Sequence, residues 1–465
     1  MRERETMRAR FTALTKRVTA IAGAVALTTA ALLAGAGAAA ADPIGPGNID
    51  FDAHGSITVH KHEQPNPQGE VGDGSLQNVD SAPIEGVEFT VEQLDIDLRD
   101  PEVWERLNDI DPANPGPRLS GTRAGQTKPD GTVTVENLPV GVYLVTATNS
   151  PSNVVTKAAP FIVVVPMPVK GNWTYDIHAY PKNPVSTLDK TLDETADQAA
   201  LGQGDEVVWN VKSTAPALAN NDTLRKYEIN DLLDGRLGYV NVTDVQYDGT
   251  ALDPTDYTVT APAAYQTGEV TVALTEQGLN KVKANSGKDL TFKLVTVVID
   301  DIDDGAIPNN ATQITNINDQ ETKIESNEDI TYWGYVNVLK QDKANAKKLA
   351  GAEFQVFPTE ADAKAGTKAI TINGETTFTT AADGTLKIGA LNVGADGTQR
   401  DYWIKETKAP TGYVLDETVH KVTVKPGQNA DVVYTIDNVK HDVPDLPLTG
   451  ATGTALFAVI ANLRS

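Results

Sequence analysis

From Ile57 onward the chain consists of short runs of β-branched, aromatic and aliphatic residues, each soon broken by Gly, Pro, Asn or Asp. Thr132-Val133-Thr134-Val135, Val142-Tyr143-Leu144-Val145, Phe161-Ile162-Val163-Val164-Val165 and Val419-His420-Lys421-Val422-Thr423-Val424 are examples. Period-2 alternation puts every second side chain on one face, so each run suits a strand with one buried side. Strands at this spacing, punctuated by turn residues, predict an all-β chain of tandem immunoglobulin-like β-sandwich domains. Only two short segments read as helices, Pro101 to Leu107 and Glu276 to Ala284. The first opens on Pro and puts Trp104 and Leu107 on one face, and both are expected as insertions between strands.

At about 150 residues per domain, 465 residues suggest three such modules. There is no Cys, which excludes disulfides, thiolate metal sites and cysteine nucleophiles. Lys plus Arg is 39 against 63 Asp plus Glu, a net charge of -24. That field repels phosphate, so neither nucleic acid nor an anionic lipid surface is an expected partner. The six His are scattered, and no Gly-any-Ser-any-Gly or His-Glu-any-any-His sequence occurs, so no enzyme acting on an external substrate is expected. His60 and His62 flank Lys61 and are expected to face solvent. Asp300, Asp301, Asp303 and Asp304 lack the spacing of an EF-hand and read as a solvated turn. No metal and no cofactor is expected.

Both ends carry addresses. Residues 1–17 are basic, Val18 to Ala41 is uncharged and rich in Ala and Leu, and Ala39-Ala40-Ala41 precedes Asp42-Pro43. This is the pattern of a secretory signal peptide over 1–41, with a membrane-spanning anchor as the alternative. Residues 42–56 are a Pro- and Gly-rich disordered lead. An exported chain of this size without disulfides needs another source of durability. At the other end, Leu446-Pro447-Leu448-Thr449-Gly450 is followed by an apolar stretch from Ala451 to Leu463 and by Arg464. This resembles the LPXTG sorting signal of Gram-positive cell-wall proteins. The resemblance implies that a sortase cleaves between Thr449 and Gly450 and holds Thr449 as a thioester. The apolar stretch is shorter than the roughly 20 residues of a spanning helix.

Composition shifts divide the mature chain into 57–183, 184–331 and 332–440, with 441–465 as the tail and sorting signal. The first and third modules open alike. Ile57-Thr58-Val59-His60-Lys61 leads to Gly86-Val87-Glu88-Phe89, and Val336-Asn337-Val338-Leu339-Lys340 leads to Gly351-Ala352-Glu353-Phe354. Each later shows Asp-Gly-Thr, at 130–132 and at 383–385, so the two are divergent copies of one sandwich.

Tyr402-Trp403-Ile404-Lys405-Glu406-Thr407-Lys408-Ala409-Pro410-Thr411-Gly412-Tyr413 is similar to the E-box of sortase-assembled pilins. The first module ends in Trp173 to Asn183, with Tyr180-Pro181-Lys182-Asn183 resembling the pilin motif, and the third module opens like a collagen-adhesin B-type domain. Sorting signal, E-box and pilin motif together resemble a Gram-positive backbone (shaft) pilin. The resemblance implies a cell-wall-anchored, extracellular fimbria of identical subunits. Its partners would be pilus-specific and housekeeping sortases, tip and base pilins, and peptidoglycan, with any host ligand unidentified. The alternative is a wall-anchored adhesin or accessory pilin that binds a host ligand.

Lys340 and Asn438 lie in apolar strand contexts, where burial would keep the Lys amine neutral and nucleophilic and a nearby carboxyl protonated. A protonated Glu406 would donate to the Asn438 carbonyl, and attack by Lys340 would release ammonia and leave an isopeptide bond. The resemblance assigns these roles to Lys340, Glu406 and Asn438. In the second module it assigns them to Lys190, Asp231 and an acceptor in Ile307-Pro308-Asn309-Asn310-Ala311; Asn309 is preferred and Asn310 remains open. It also implies that Lys182 resolves the Thr449 thioester of a neighbouring subunit. The first module has Lys61 at the matching strand position, but Tyr143 to Thr148 offers no counterpart of Glu406. Whether it has a bond of its own is left open.

Overall fold

The computed structural model describes residues 48–65, 72–119, 121–169, 171–300, 302 and 304–441. The expected signal peptide and the sorting signal 446–450 lie outside the described residues. Strands dominate, and they group into three successive pairs of sheets.

In the first pair, His54–His60 lies between Asp176–Ala179, which runs parallel to it, and the antiparallel Thr132–Pro139. Facing it is a sheet in the order Arg123–Gln126, Glu88–Gln93, Gly141–Asn149, Phe161–Val165. Ile57, Val59, Phe89, Val91, Tyr143, Val145, Val163 and Ile177 fill the space between them. The two-residue strand Lys182–Asn183 pairs in parallel with His62–Glu63 and closes this unit.

The second pair has five strands in each sheet. One runs Thr187–Leu192, Glu206–Thr214, Asp289–Val298, Leu237–Tyr247, Thr250–Ala251. The other runs Tyr257–Thr260, Glu269–Leu274, Leu224–Leu232, Thr312–Ile317, Gln320–Glu325. Trp209 and Tyr227 are buried at its centre.

The third pair is built on the long strand Asp329–Asp342. Its first residues pair with Ala306–Asn309, and its remainder pairs with Thr385–Asn392 on one side and, in parallel, with Val433–Asn438 on the other. One continuous strand thus serves the second unit and then the third. The backbones cross closely here: a Cβ on Gly334 would lie 2.0 Å from the Lys425 carbonyl oxygen. The opposing sheet runs Phe378–Thr379, Glu353–Phe357, Arg400–Lys408, Val419–Val424.

The short helices fall where side-chain caps start them. Asp100 caps Pro101–Arg106 and Thr275 caps Glu276–Ala284, each accepting from a first-turn backbone N–H. Two further helices, Glu194–Ala199 and Glu360–Ala365, are capped in the same way by Asp193 and Thr359. The first of these fastens the second unit to the third. Buried Asp197 accepts from Asn392 Nδ2 at 2.8 Å and from Thr331 Oγ1 at 3.2 Å. Arg400 reaches back to the carbonyls of Ala200 at 3.0 Å and Gln198 at 2.8 Å.

Candidate isopeptide sites

In the third unit Lys340 pairs with Ile436 and Asp342 with Asn438, so the opening and closing strands run side by side. Lys340, Glu406 and Asn438 are all essentially removed from solvent, at 0%, 1% and 2% exposure. Lys340 Nζ is 3.2 Å from Glu406 Oε1, and Asn438 Nδ2 donates to Glu406 Oε2 at 2.9 Å. The carboxyl therefore stands between the two nitrogens that would exchange a proton. It faces the amide nitrogen, the leaving group, and not the carbonyl oxygen expected from the sequence. Burial lowers the pKa of Lys340, opposed by Glu406. The Phe354 ring lies 5.5 Å from Lys340 Nζ and supplies part of the apolar wall.

The second unit repeats the arrangement with a shorter acid. Lys190, Asp231 and Asn309 are buried together, and Lys190 Nζ donates to Asp231 Oδ2. Desolvation brings the Lys190 pKa down to about 8, against the opposing pull of Asp231, and raises that of Asp231. Asn309 lies beside the Asp231 carboxyl. Asn310 is exposed and offers Lys190 only its backbone oxygen, at 3.5 Å. Trp209, 5.2 Å from Lys190 Nζ, takes the place that Phe354 has in the third unit.

The first unit holds a third pair. Lys61 is fully buried, and its Nζ donates to Asn183 Oδ1 and, at 3.3 Å, to the Pro181 carbonyl. Burial alone brings its pKa down to about 7. Asn183, 2% exposed, donates through Nδ2 to the Thr156 carbonyl. Phe354 stands opposite Glu406 in the third unit, and its counterpart Phe89 stands opposite Ala147. The acid's place is thus held by a methyl group. Sequence reasoning found Lys61 but missed Asn183. The available signal was the Asn directly after Lys182, on the closing strand of the unit that Lys61 opens.

Lys182 neighbours Asn183 on the same short strand but is only partly buried. Alternation turns Asn183 into the core and Lys182 away from it. His60 and His62 were expected to face solvent and are partly buried instead. His60 stacks on Tyr180 at 4.6 Å between ring centroids and shares a 2.8 Å hydrogen bond with His178, while His62 Nδ1 lies 2.7 Å from the Ser81 carbonyl. Strand pairing explains the inward packing, because His178 lies on the strand that runs parallel to His54–His60. Thr449, Gly450 and Leu446-Pro447-Leu448 lie outside the described residues.

A family model described as Gram-positive pilin subunit D1, N-terminal domain, matches residues 52–184. One described as a prealbumin-like fold domain matches residues 334–440. Fimbrial subunit type 2 of Actinomyces naeslundii is 37% identical over 499 residues, covering 94% of this chain and 92% of that protein. Fimbrial subunit type 1 of Actinomyces viscosus is 31% identical over 512 residues, covering 96% and 95%. Among solved structures, the full-length major pilin SpaD of Corynebacterium diphtheriae matches with a TM-score of 0.70 at 30% identity, over 85% of this chain and 99% of that one.

Proposed function

The chain belongs to the family of Gram-positive fimbrial pilins and is a shaft subunit of an extracellular fimbria, and from that premise we propose how its subunits are joined and hardened. A sortase cleaves after Thr449 and passes the acyl group to Lys182 of the next subunit. Repetition gives a covalent homopolymer, and the housekeeping sortase transfers its base to peptidoglycan. Tip and base pilins complete the fibre. The units are taken as 57–183, 184–331 and 332–440.

Tension then enters each subunit at Lys182 and leaves at Thr449. Within the subunit, Lys190 joins Asn309 with Asp231 as proton carrier, and Lys340 joins Asn438 with Glu406 in that role. Each bond forms as the neutral Lys nitrogen attacks the Asn carboxamide carbon. One proton passes from the Lys nitrogen to the departing amide nitrogen, and ammonia leaves. The Lys340–Asn438 bond ties the opening strand of its unit to the closing one, and the Lys190–Asn309 bond ties the opening strand of the second unit to Ala306–Asn309, ahead of its last two strands, so most of the chain on the path from 182 to 449 is bypassed. They also restrict the unfolded chain as a disulfide does. A third bond, Lys61 to Asn183, locks the strand that presents Lys182.

The observation that carries this reading is the convergence of a buried Lys, a buried carboxyl and a buried Asn in each of the second and third units. Tandem mass spectrometry of digested fimbriae tests it. A branched peptide joining Thr449 to Lys182 is expected, together with loss of one ammonia for each internal bond. Fimbriae whose digests contain only linear peptides would overturn it.

A further inference from the structure

In the third unit the stretch after the strand Arg400–Lys408 touches the Asn438 amide and the Glu406 carboxyl. Val414 O accepts from Asn438 Nδ2 at 2.6 Å, and Val414 N donates to the Val439 carbonyl at 2.9 Å. Two residues on, Asp416 N donates to Glu406 Oε2 at 2.7 Å. Both protons of the Asn438 amide are therefore engaged, one by Glu406 and one by Val414. Rotation of the carboxamide would exchange its oxygen and nitrogen and lose both contacts. Glu406 Oε2 receives two N–H groups, which leaves Oε1 toward Lys340 Nζ.

Residues 414–418 belong to no strand or helix, so no backbone ladder holds them. The Asp416 side chain supplies the restraint. Its Oδ1 accepts from Thr418 N at 3.0 Å, and its Oδ2 pairs with His420 Nε2 at 2.8 Å on the neighbouring strand Val419–Val424. In the second unit, among the described residues, no backbone group holds the side-chain amide of Asn309, which lies only beside the Asp231 carboxyl.

We propose that Asp416, braced by His420, is a positioning residue for bond formation in the third unit: it fixes the 414–416 backbone that orients the Asn438 amide and the Glu406 carboxyl. The proposal rests on the reading that Lys340 and Asn438 become joined. The pair does not touch the reacting atoms, so its loss affects the rate of closure before anything else. Misplacing reacting groups by a fraction of an ångström costs roughly tenfold or more in rate.

The test follows the full mature chain during cell-free synthesis, stopped at intervals and analysed by intact mass and tandem mass spectrometry. The Lys190–Asn309 bond serves as an internal clock. Asp416→Ala should slow closure at Asn438 by about tenfold or more relative to that clock. Asp416→Asn keeps an acceptor for Thr418 N and a partner for His420, and should restore most of the rate. His420→Ala should fall between the two. A folding defect would slow both bonds together or leave the Asn variant as slow as the Ala variant, and either pattern would overturn the proposal. So would closure of the Asp416→Ala chain at the wild-type rate. If the wild-type chain itself never loses ammonia at Asn438, the underlying reading of the site fails instead.

Discussion

Lys61 Nζ donates to Asn183 Oδ1 in the interior of the first unit, one residue away from Lys182. The contact anchors the strand on which the polymerising lysine would sit. Ala147 occupies the register position of Glu406, so among the described residues no carboxyl stands where the other two units have their acid. Closure here then depends on the neutral Lys61 amine alone. With the pKa near 7, the neutral fraction rises as pH increases through 7, where half the amine is neutral, and levels off above about pH 8. Ammonia loss from the first unit should therefore be slower at pH 6 than at pH 8. Ala147→Glu should accelerate it, as seen by time-resolved intact mass. A rate that ignores both pH and the introduced Glu would contradict this account.

Glu406→Ala should leave Lys340 and Asn438 unjoined. The third unit would then lose the stabilisation of a closed loop of about 100 residues, roughly 4–5 kcal/mol on the chain-entropy account. Calorimetry should show one transition moved to lower temperature, and the mass, once the substitution itself is allowed for, should be higher by one ammonia. Complete ammonia loss in this variant would remove Glu406 from the reaction.

Asp231→Ala should abolish the Lys190–Asn309 bond and leave the Lys340–Asn438 bond intact, because the two carboxyls serve separate units. Peptide mapping separates the outcomes. A crosslink found at Asn310 would contradict the burial argument, since that side chain points to solvent.

The fold class was legible because alternating strands and turn residues carry their own periodicity. Lys340, Glu406 and Asn438 were legible because a continuous motif surrounds the acid and apolar strands surround its partners. Asn183 was not. Its significance lies in the parallel pairing of Lys182–Asn183 with His62–Glu63, a contact across more than a hundred residues at which the only local signal was its place directly after Lys182. The role of Asp416 was hidden for a related reason: its backbone N–H, common to every residue but Pro, makes the contact. The helix Glu194–Ala199 was missed because it is short and has no apolar stripe; the only local clue is its Asp193 cap.

The His60 and His178 contact makes the first unit sensitive to acid. Burial, followed by the nearby His178 and His62, lowers the His60 pKa from 6.5 to about 4, with Asp130 opposing. Burial also lowers that of His178, with Asp176 opposing. The unfolded chain then binds more protons than the folded one between these values. Stability from the neutral pair is full above pH 6.5 and is lost as pH falls toward 4. The melting temperature of the first unit should drop over that window, and His60→Phe, which retains stacking on Tyr180, should flatten the slope. Equal slopes for both proteins would contradict the assignment.

The central claim is that Lys182 accepts the Thr449 acyl group of the next subunit, and detergent-boiled surface extracts of a Lys182→Ala strain test it most directly. The variant should fold, keep its internal bonds in the second and third units, and run as a monomer where the wild type gives a high-mass ladder. A full ladder from the Lys182→Ala strain would contradict the account.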